Sequence, residues 1–276
     1  MKCEQIRERL ETLAPVAMAC EWDNPGFQVC RWEKEINSIY LAVDATDEVI
    51  AEAKELKADM ILTHHPLIFG GIKNILTSDF IGRRIYGLAQ QDMVYCAMHT
   101  NFDICVMADL AADYLELMET EPLEVTGEWQ GKSCGIGKVG MLPEEISLGD
   151  CGRIVKSRFQ TEAVKVFGDT SRMVQRAAIC PGSGKSEVDE AIAKGAQALI
   201  TGDIDHHTGI DAAARGLSIL DAGHYGLEHI FVTYMAEYFK EKLPELNIYS
   251  QKLQSPFSYI VSVSYTHLTL PTTSRV

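Results

Sequence analysis

Short apolar runs alternate with amphipathic stretches in the first half of the chain, which is the pattern of an α/β fold. Residues 39–43 and 60–63 are apolar runs typical of buried strands. Residues 48–56, between them, have the spacing of a helix with one apolar face. A strand, a helix and a second strand in this order predict two parallel strands joined by a right-handed crossover.

A related pattern returns 138 residues later in the chain. Thr201 ends a second apolar run as Thr63 ends the first. At the position of His64-His65, however, the second copy has Gly202-Asp203. We therefore predict an α/β fold of two related lobes with mixed sheets, in which the two copies have diverged in chemistry.

The remaining pattern predicts a boundary between the lobes near residues 121–131. The first lobe would cover 1–125 and the second 126–262. Residues 263–276 lack the acidic character of the chain and resemble translated adapter sequence, so we interpret them as a non-native tail. Further predicted strands cover 135–141, 163–167, 177–180 and 247–249, and further predicted helices cover 6–13, 108–117, 148–159 and 230–239.

Composition and charge restrict the classes of function. The chain has 276 residues, of which 46% are hydrophobic and 23% charged, as in ordinary globular proteins. Its net charge of −14 disfavours nucleic acid as a partner, because such binding depends on lysine and arginine. The eight cysteines contain no C-x-x-C pair, and we expect reduced thiols in the cytoplasm. No apolar stretch approaches the ~18 residues that a membrane span needs.

Candidate metal ligands follow several predicted strands. His64 and His65 come directly after the run 60–63, and Asp103, His224 and Glu228 occupy similar positions later in the chain. Imidazole and carboxylate groups together favour zinc, iron or manganese over calcium or magnesium. Five ligands exceed the need of one catalytic zinc ion, whereas they suit two divalent ions that share a bridging carboxylate.

Each of these residues also has a purely structural interpretation. Asp103 alone would most often cap a helix or a turn, and His224 could merely pack near a helix start. His224 and Glu228 share a helix face only if a helix begins after Gly223. His99 either orients a ligand, donates to substrate or is a half-buried strand-end histidine. The convergence of all the positions is what favours a metal site.

Two other polar segments receive weaker interpretations. Asp203, His206 and His207 would overfill a pair of ions, so we expect them at a pocket wall or an interface. The glycine-rich segment 181–186 lacks the first glycine of a phosphate-binding P-loop, because Ile179 occupies that position. A plain turn is the more economical interpretation, although a looser anion site at the following helix remains physically reasonable.

Several motifs in the expected order resemble the Nif-three-like dinuclear-metal hexameric family, many of whose members carry the name GTP cyclohydrolase type-two homologue. The resemblance covers about residues 1–260, and Cys30 departs from it where a glycine is expected. The matching motifs are Trp22-Asp23-Asn24-Pro25-Gly26, Thr63-His64-His65-Pro66-Leu67-Ile68-Phe69, His99-Thr100-Asn101-Phe102-Asp103, Thr201-Gly202-Asp203, and Gly223-His224-Tyr225 with Glu228.

The resemblance implies a homohexameric ring with a two-metal site between the lobes of each subunit. By motif position the ligands would be His64, His65, Asp103, His224 and Glu228. Longer members insert an extra domain in the middle, and from its length we expect this chain to lack that insertion. The implied activity is hydrolysis of a small nucleotide-like substrate, by ring opening at guanine C8 or at a phosphoester, with a metal-bound water as the attacking group. The alternative is a non-catalytic metal-binding assembly protein.

Overall fold

A computed structural model describes residues 1–260 of the chain. The predicted non-native tail, 263–276, lies outside these described residues. The strands are β1 Gly26–Val29, β2 Ser38–Ala42, β3 Met60–Thr63, β4 Val94–Ala97, β5 Met118–Trp129, β6 Lys132–Ser147, β7 Lys165–Phe167, β8 Met173–Ser183, β9 Ala198–Gly202, β10 Ser218–Asp221 and β11 Asn247–Ser250. The α-helices are α1 Cys3–Leu13, α2 Asp47–Glu55, α3 Phe80–Gln90, α4 Thr100–Phe102, α5 Ala108–Tyr114, α6 Leu148–Arg158, α7 Val188–Ala193, α8 His206–Ala214, α9 His224–Glu228 and α10 Ile230–Lys242.

The strands form two mixed sheets, as the sequence predicts for the fold class. The first sheet has the order β1-β4-β3-β2-β11, and only β1 is antiparallel to its neighbour. The second has the order β5-β6-β8-β9-β10-β7, with parallel pairing of β8, β9 and β10. The outer strands β5, β6 and β7 pair antiparallel. Each sheet therefore has a parallel centre.

The duplicated unit is visible in the strand register. In the first sheet Ile39 pairs with Met60, and in the second Ala177 pairs with Ala198. Both partners are shifted by the same 138 positions that separate the two sequence patterns. The two copies therefore share a backbone frame as well as a pattern of apolar residues.

One hydrophobic core joins the two sheets. It contains Leu62 from the first sheet and Ile200 from the second, together with Phe231 and Phe239 of α10. All four side chains are buried. Helix α10 is thus held between the sheets by its apolar positions, and this packing brings the carboxyl ends of β3, β9 and β10 towards one region, the edge where ligand sites of α/β sheets usually lie.

The two sheets are not formed by two consecutive halves of the chain, because the last strand returns to the first sheet. The predicted boundary after residue 125 falls inside β5, and β11 pairs in parallel with β2 of the first sheet. Apolar periodicity identifies a strand but does not name its partner, so this return of the chain was not visible in the sequence. Within residues 1–260, no helix combines the length and apolar character that crossing a bilayer requires.

Candidate metal centre

The loop after β3 holds His64 and His65 in fixed positions. The backbone amide of His65 donates to the Val43 carbonyl oxygen at 2.9 Å. The Thr63 hydroxyl donates to the His65 carbonyl oxygen at 2.7 Å, and the Tyr95 hydroxyl also donates to that oxygen. The adjacent imidazoles therefore leave the strand end on a backbone that is hydrogen-bonded on both sides.

Helix α9 presents the second group of candidate ligands. It begins directly after Gly223, whose φ of +82° lies in the region that favours glycine. His224 and Glu228 lie one turn apart on this helix, as the sequence analysis required. A Cβ atom on Gly202 would lie 2.4 Å from the His224 backbone nitrogen, so the close approach of α9 to β9 depends on that glycine.

The structure brings all five predicted ligands together around the Glu228 carboxylate. Glu228 Oε1 lies 3.5 Å from His64 Nε2, which is also 3.5 Å from Asp103 Oδ1. Glu228 Oε2 lies 3.0 Å from His65 Nε2 and 3.1 Å from His224 Nε2. The two oxygens of one carboxylate thus face different histidines.

Each candidate histidine is oriented through its Nδ1 atom. The Nδ1 of His64 donates to the Met98 carbonyl oxygen, and the Nδ1 of His65 donates to Asp44, both at 2.8 Å. The Nδ1 of His224 donates to Asp203, also at 2.8 Å. A carbonyl or ionised carboxylate only accepts, so each Nδ1 carries a hydrogen and Nε2 is the ring atom available to an ion.

His99 has the same arrangement and lies closer to the centre than sequence reasoning could show. Its Nδ1 donates to Asp23 at 2.8 Å, and the Asp23 carboxylate also accepts from the amide and hydroxyl of Thr100. Although burial opposes ionisation of Asp23, these bonds lower its pKa to about 2. Ring nitrogens of His64, His65 and His99 lie within 4.8 Å of one another, and His65, His224 and Glu228 form a second such group.

Charge coupling in the centre follows from its burial. Burial opposes ionisation of Glu228, yet the adjoining His64 and His65 imidazoles hold its pKa well below the usual range. Burial likewise opposes protonation of His65, but the Glu228 carboxylate outweighs it and raises the pKa of His65 to about 10. Contact with Glu228 similarly overcomes burial and raises the pKa of His224 to about 9. Burial raises the pKa of Asp103.

The donor set fits divalent metal ions. Two buried atoms, His64 Nε2 and Glu228 Oε2, have no hydrogen-bond partner of good geometry. Unpaired buried polar atoms are costly, and a metal ion would satisfy both of them. Imidazole nitrogens with carboxylate oxygens are the ligands of zinc, iron and manganese sites. The arrangement could therefore hold an ion on either side of Glu228.

The aspartates behind the histidines were not given this role by sequence reasoning. Asp44 follows β2 and Asp203 follows β9, so a carboxylate after a buried strand was the available signal. Asp23 lies in a turn more than 70 residues away from His99 in sequence, and only the fold shows their contact. Asp203 was expected at a pocket wall or an interface, and the structure places its carboxylate against the Nδ1 of His224.

The glycine-rich segment 181–186, which overlaps the end of β8, borders the same centre. A Cβ atom on Gly182 would lie 2.5 Å from Glu228 Oε1 and 3.7 Å from His224 Nε2. The segment is therefore more than a plain turn, because its lack of side chains leaves room for the carboxylate. His206 and His207 lie at the start of α8, and the centroids of their rings are 5.2 Å apart.

Two sheets with parallel centres and a buried cluster of histidines and carboxylates define an α/β protein with a candidate metal centre. A model of the family described as Duf34/NIF3 (NGG1p interacting factor 3) matches residues 1–256. A Clostridium perfringens protein named GTP cyclohydrolase 1 type 2 homolog is 34% identical over 94% of this chain and 100% of its own length. The chain belongs to the Duf34/NIF3 family, as the sequence motifs indicated.

Solved structures agree on the fold. A Bacillus cereus protein related to NIF3 has a TM-score of 0.87 at 24% identity, covering 94% of this chain and 99% of that one. Reduced HcgD from Methanocaldococcus jannaschii has a TM-score of 0.78 at 30% identity, covering 91% and 97%. Among sequence relatives, a Streptococcus pneumoniae protein, also named GTP cyclohydrolase 1 type 2 homolog, is 32% identical over 94% of this chain and 100% of its own length.

Proposed function

We propose that this chain binds two divalent metal ions and hydrolyses a small nucleotide-like substrate. The observation that carries the proposal is the division of Glu228 between two ligand groups. Its Oε1 lies near the His64 Nε2 atom, which Asp103 also approaches, and its Oε2 lies near His65 and His224. A carboxylate with ligands on both sides is what a pair of ions with a shared bridge needs. The names of the relatives in Clostridium and Streptococcus support a nucleotide substrate.

The protein's own contribution to such a reaction would be placement. When bound, a pair of divalent ions supplies activation of water and of an electrophilic substrate atom. Asp44 and Asp203 would hold His65 and His224 in the orientation that turns Nε2 towards an ion. His99, held by Asp23, would present its Nε2 beside this site to a substrate or a ligand.

Turnover before and after metal removal tests the proposal. We would strip the protein with a chelator, reload it with zinc, manganese or ferrous iron, and assay GTP for guanine ring opening and for phosphate release. We expect activity in at least one reloaded sample and none in the stripped protein or in a reloaded Glu228→Gln variant. Equal turnover in stripped and reloaded protein would contradict a metal-dependent reaction.

Self-association is a second proposal, supported by a different feature. Large apolar side chains are exposed at Ile72, Ile75 and Leu76, between β3 and α3, and at Phe80, the first residue of α3. A cluster of this kind is typical of an interface rather than of a free surface. It supports the homohexamer that the family resemblance implies. Mass measurement in solution tests this, and a monomer at micromolar concentration would contradict it.

The cysteines support a reducing compartment such as the cytoplasm. All eight are free thiols, including Cys3 and Cys30, whose sulfur atoms lie 3.4 Å apart. Thiols so placed persist where the surroundings are reducing. Fractionation of cells that produce the protein would test the proposal, and recovery of a Cys3–Cys30 disulfide from intact cells would contradict it.

A further inference from the structure

Two exposed aromatic side chains converge on His99. Trp22 is 68% exposed and Phe69 is 52% exposed. The Trp22 ring centroid lies 5.9 Å from that of His99 at an interplanar angle of 77°, and the Phe69 centroid lies 5.7 Å away at 90°. Both rings therefore meet the imidazole edge-on or nearly so, and much of their aromatic surface remains open to solvent.

The segments that carry these rings are fixed to each other by hydrogen bonds. The Gln28 side chain accepts from the Ile68 amide and donates to the Ile68 carbonyl oxygen, both at 2.8 Å. The Asn24 side chain donates to the same carbonyl oxygen at 2.6 Å. These bonds join the turn that carries Trp22 to the loop that carries Phe69, so the two rings are positioned before any ligand arrives.

The aromatic pair adjoins the candidate metal centre. The His99 ring lies 5.3 Å from that of His64 and 5.4 Å from that of His65, measured between centroids. Asp23, the neighbour of Trp22 in sequence, fixes the His99 ring through its Nδ1. A planar group that contacts Trp22 or Phe69 would therefore be separated from the candidate ligands His64 and His65 by the His99 ring alone.

We propose that Trp22 and Phe69 bind the planar heteroaromatic ring of the substrate and place it beside His99, with its reacting atom towards the metal centre. Aromatic side chains bind bases of any identity because every base offers a π face. The reaction at the bound ring rests on the proposed function, whereas binding of the ring by Trp22 and Phe69 does not. It gives the site a preference for a nucleobase-sized ring over a sugar phosphate alone.

Binding of GMP and of ribose 5-phosphate to the zinc-loaded protein tests the inference. We expect the wild type to bind GMP more tightly than ribose 5-phosphate. Trp22→Ala and Phe69→Ala should each weaken GMP binding about 5-fold to 150-fold and leave ribose 5-phosphate binding unchanged. Trp22→Phe should recover part of the loss. Trp32→Phe is the matched control, because Trp32 is 42% exposed and contacts Phe27 rather than His99.

Several results would overturn the inference without touching the hydrolase proposal. These are equal affinity of the wild type for the two probes, GMP affinity unchanged in both alanine variants, or a change of oligomeric mass in those variants, which would assign the rings to an interface. Conversely, ring-dependent GMP binding in a metal-reloaded protein that does not turn over GTP would support the inference and count against the proposed hydrolysis. Gln28→Leu, which removes the bonds to Ile68, should weaken GMP binding but not metal binding.

Discussion

The two copies of the duplicated unit have the same strand register but opposite roles at their ends. After β3 the first copy carries His64-His65, whose Nε2 atoms face Glu228. At the end of β9 the second copy carries Gly202-Asp203, where the glycine leaves room for α9 and the aspartate orients His224. The two strand ends are thus equivalent in register, yet the first carries candidate ligands and the second carries residues that support a candidate ligand.

Replacing the residues after β3 with those of the second copy should have the largest effect on metal binding. A His64→Gly, His65→Asp variant gives the first copy the residues of the second and removes two of the five candidate ligands. We expect metal content to fall from about two equivalents to less than about one per subunit. Elemental analysis of purified protein measures this, with circular dichroism as the control for folding. Unchanged metal content in a folded variant would contradict the assigned roles.

Adding a methyl group at the second strand end should destabilise the fold. In Gly202→Ala the new Cβ atom would lie 2.4 Å from the His224 nitrogen and 2.7 Å from its Cα, both backbone atoms that have little room to move. We expect a loss of about 1–3 kcal/mol in the free energy of unfolding, measured by urea denaturation.

Gly87→Ala is the matched control for that substitution. Gly87 lies inside α3, and a Cβ atom there would meet nothing within 4 Å. Because alanine is favoured over glycine in a helix, we expect stabilisation of about 0.5–1 kcal/mol. Equal effects of the two substitutions would show that α9 does not depend on the glycine at position 202.

Removing the supporting carboxylates should weaken metal binding less than removing a ligand. Asp44→Ala and Asp203→Ala take away the acceptors of His65 and His224, and we expect each to lower metal affinity about 10-fold to 100-fold. Competition with a chelator of known affinity measures this. The exposed residue Glu144 provides the control Glu144→Ala, which should leave affinity unchanged. Similar losses at all three positions would mean that net charge alone matters.

The stability of the metal-free protein should also depend on pH. The pKa of His65 is raised to about 10 and that of His224 to about 9, above the unfolded value of about 6.5. Their contribution to stability is therefore complete below about pH 6.5 and is lost as pH rises through about 9–10. The melting temperature of metal-free protein should fall between pH 7 and pH 10.

The same pKa shifts predict how metal ions should act. A protonated imidazole must lose a proton to solvent before its nitrogen can bind an ion, so metal binding at pH 7 should release about two protons per subunit and should tighten as pH rises. Glu228→Gln removes the carboxylate that raises both pKa values, and its metal-free melting temperature should depend less on pH. A steep dependence retained in that variant would place its origin elsewhere in the chain.

Local patterns predicted much of the fold and the candidate ligands, because apolar periodicity and strand ends are encoded over a few residues. The predicted helix 148–159 corresponds to α6, and the predicted final strand corresponds to β11. Sequence reasoning missed α3 and the twelve-residue β5. Strand β5 is an edge strand that is largely exposed, so it lacks the apolar run that marks the central strands.

Contacts between distant segments could not be predicted from the local pattern of apolar and polar residues. The pairing of β11 with β2 and the bond between His99 and Asp23 join residues far apart in the chain. Nothing in the local sequence of Asp23 distinguishes it from an ordinary turn aspartate. The candidate ligands were visible because each follows a strand, whereas the groups that orient them became visible only once the strands were assembled.

The most direct test of the account is the metal content of protein purified without added metal, compared with an Asp103→Ala, Glu228→Ala double variant. We expect about two equivalents per subunit in the wild type and a loss of both in the variant, because Glu228 lies near histidines of both ligand groups. Equal metal content in the two folded proteins, or no metal in the wild type even after divalent ions are added, would contradict it.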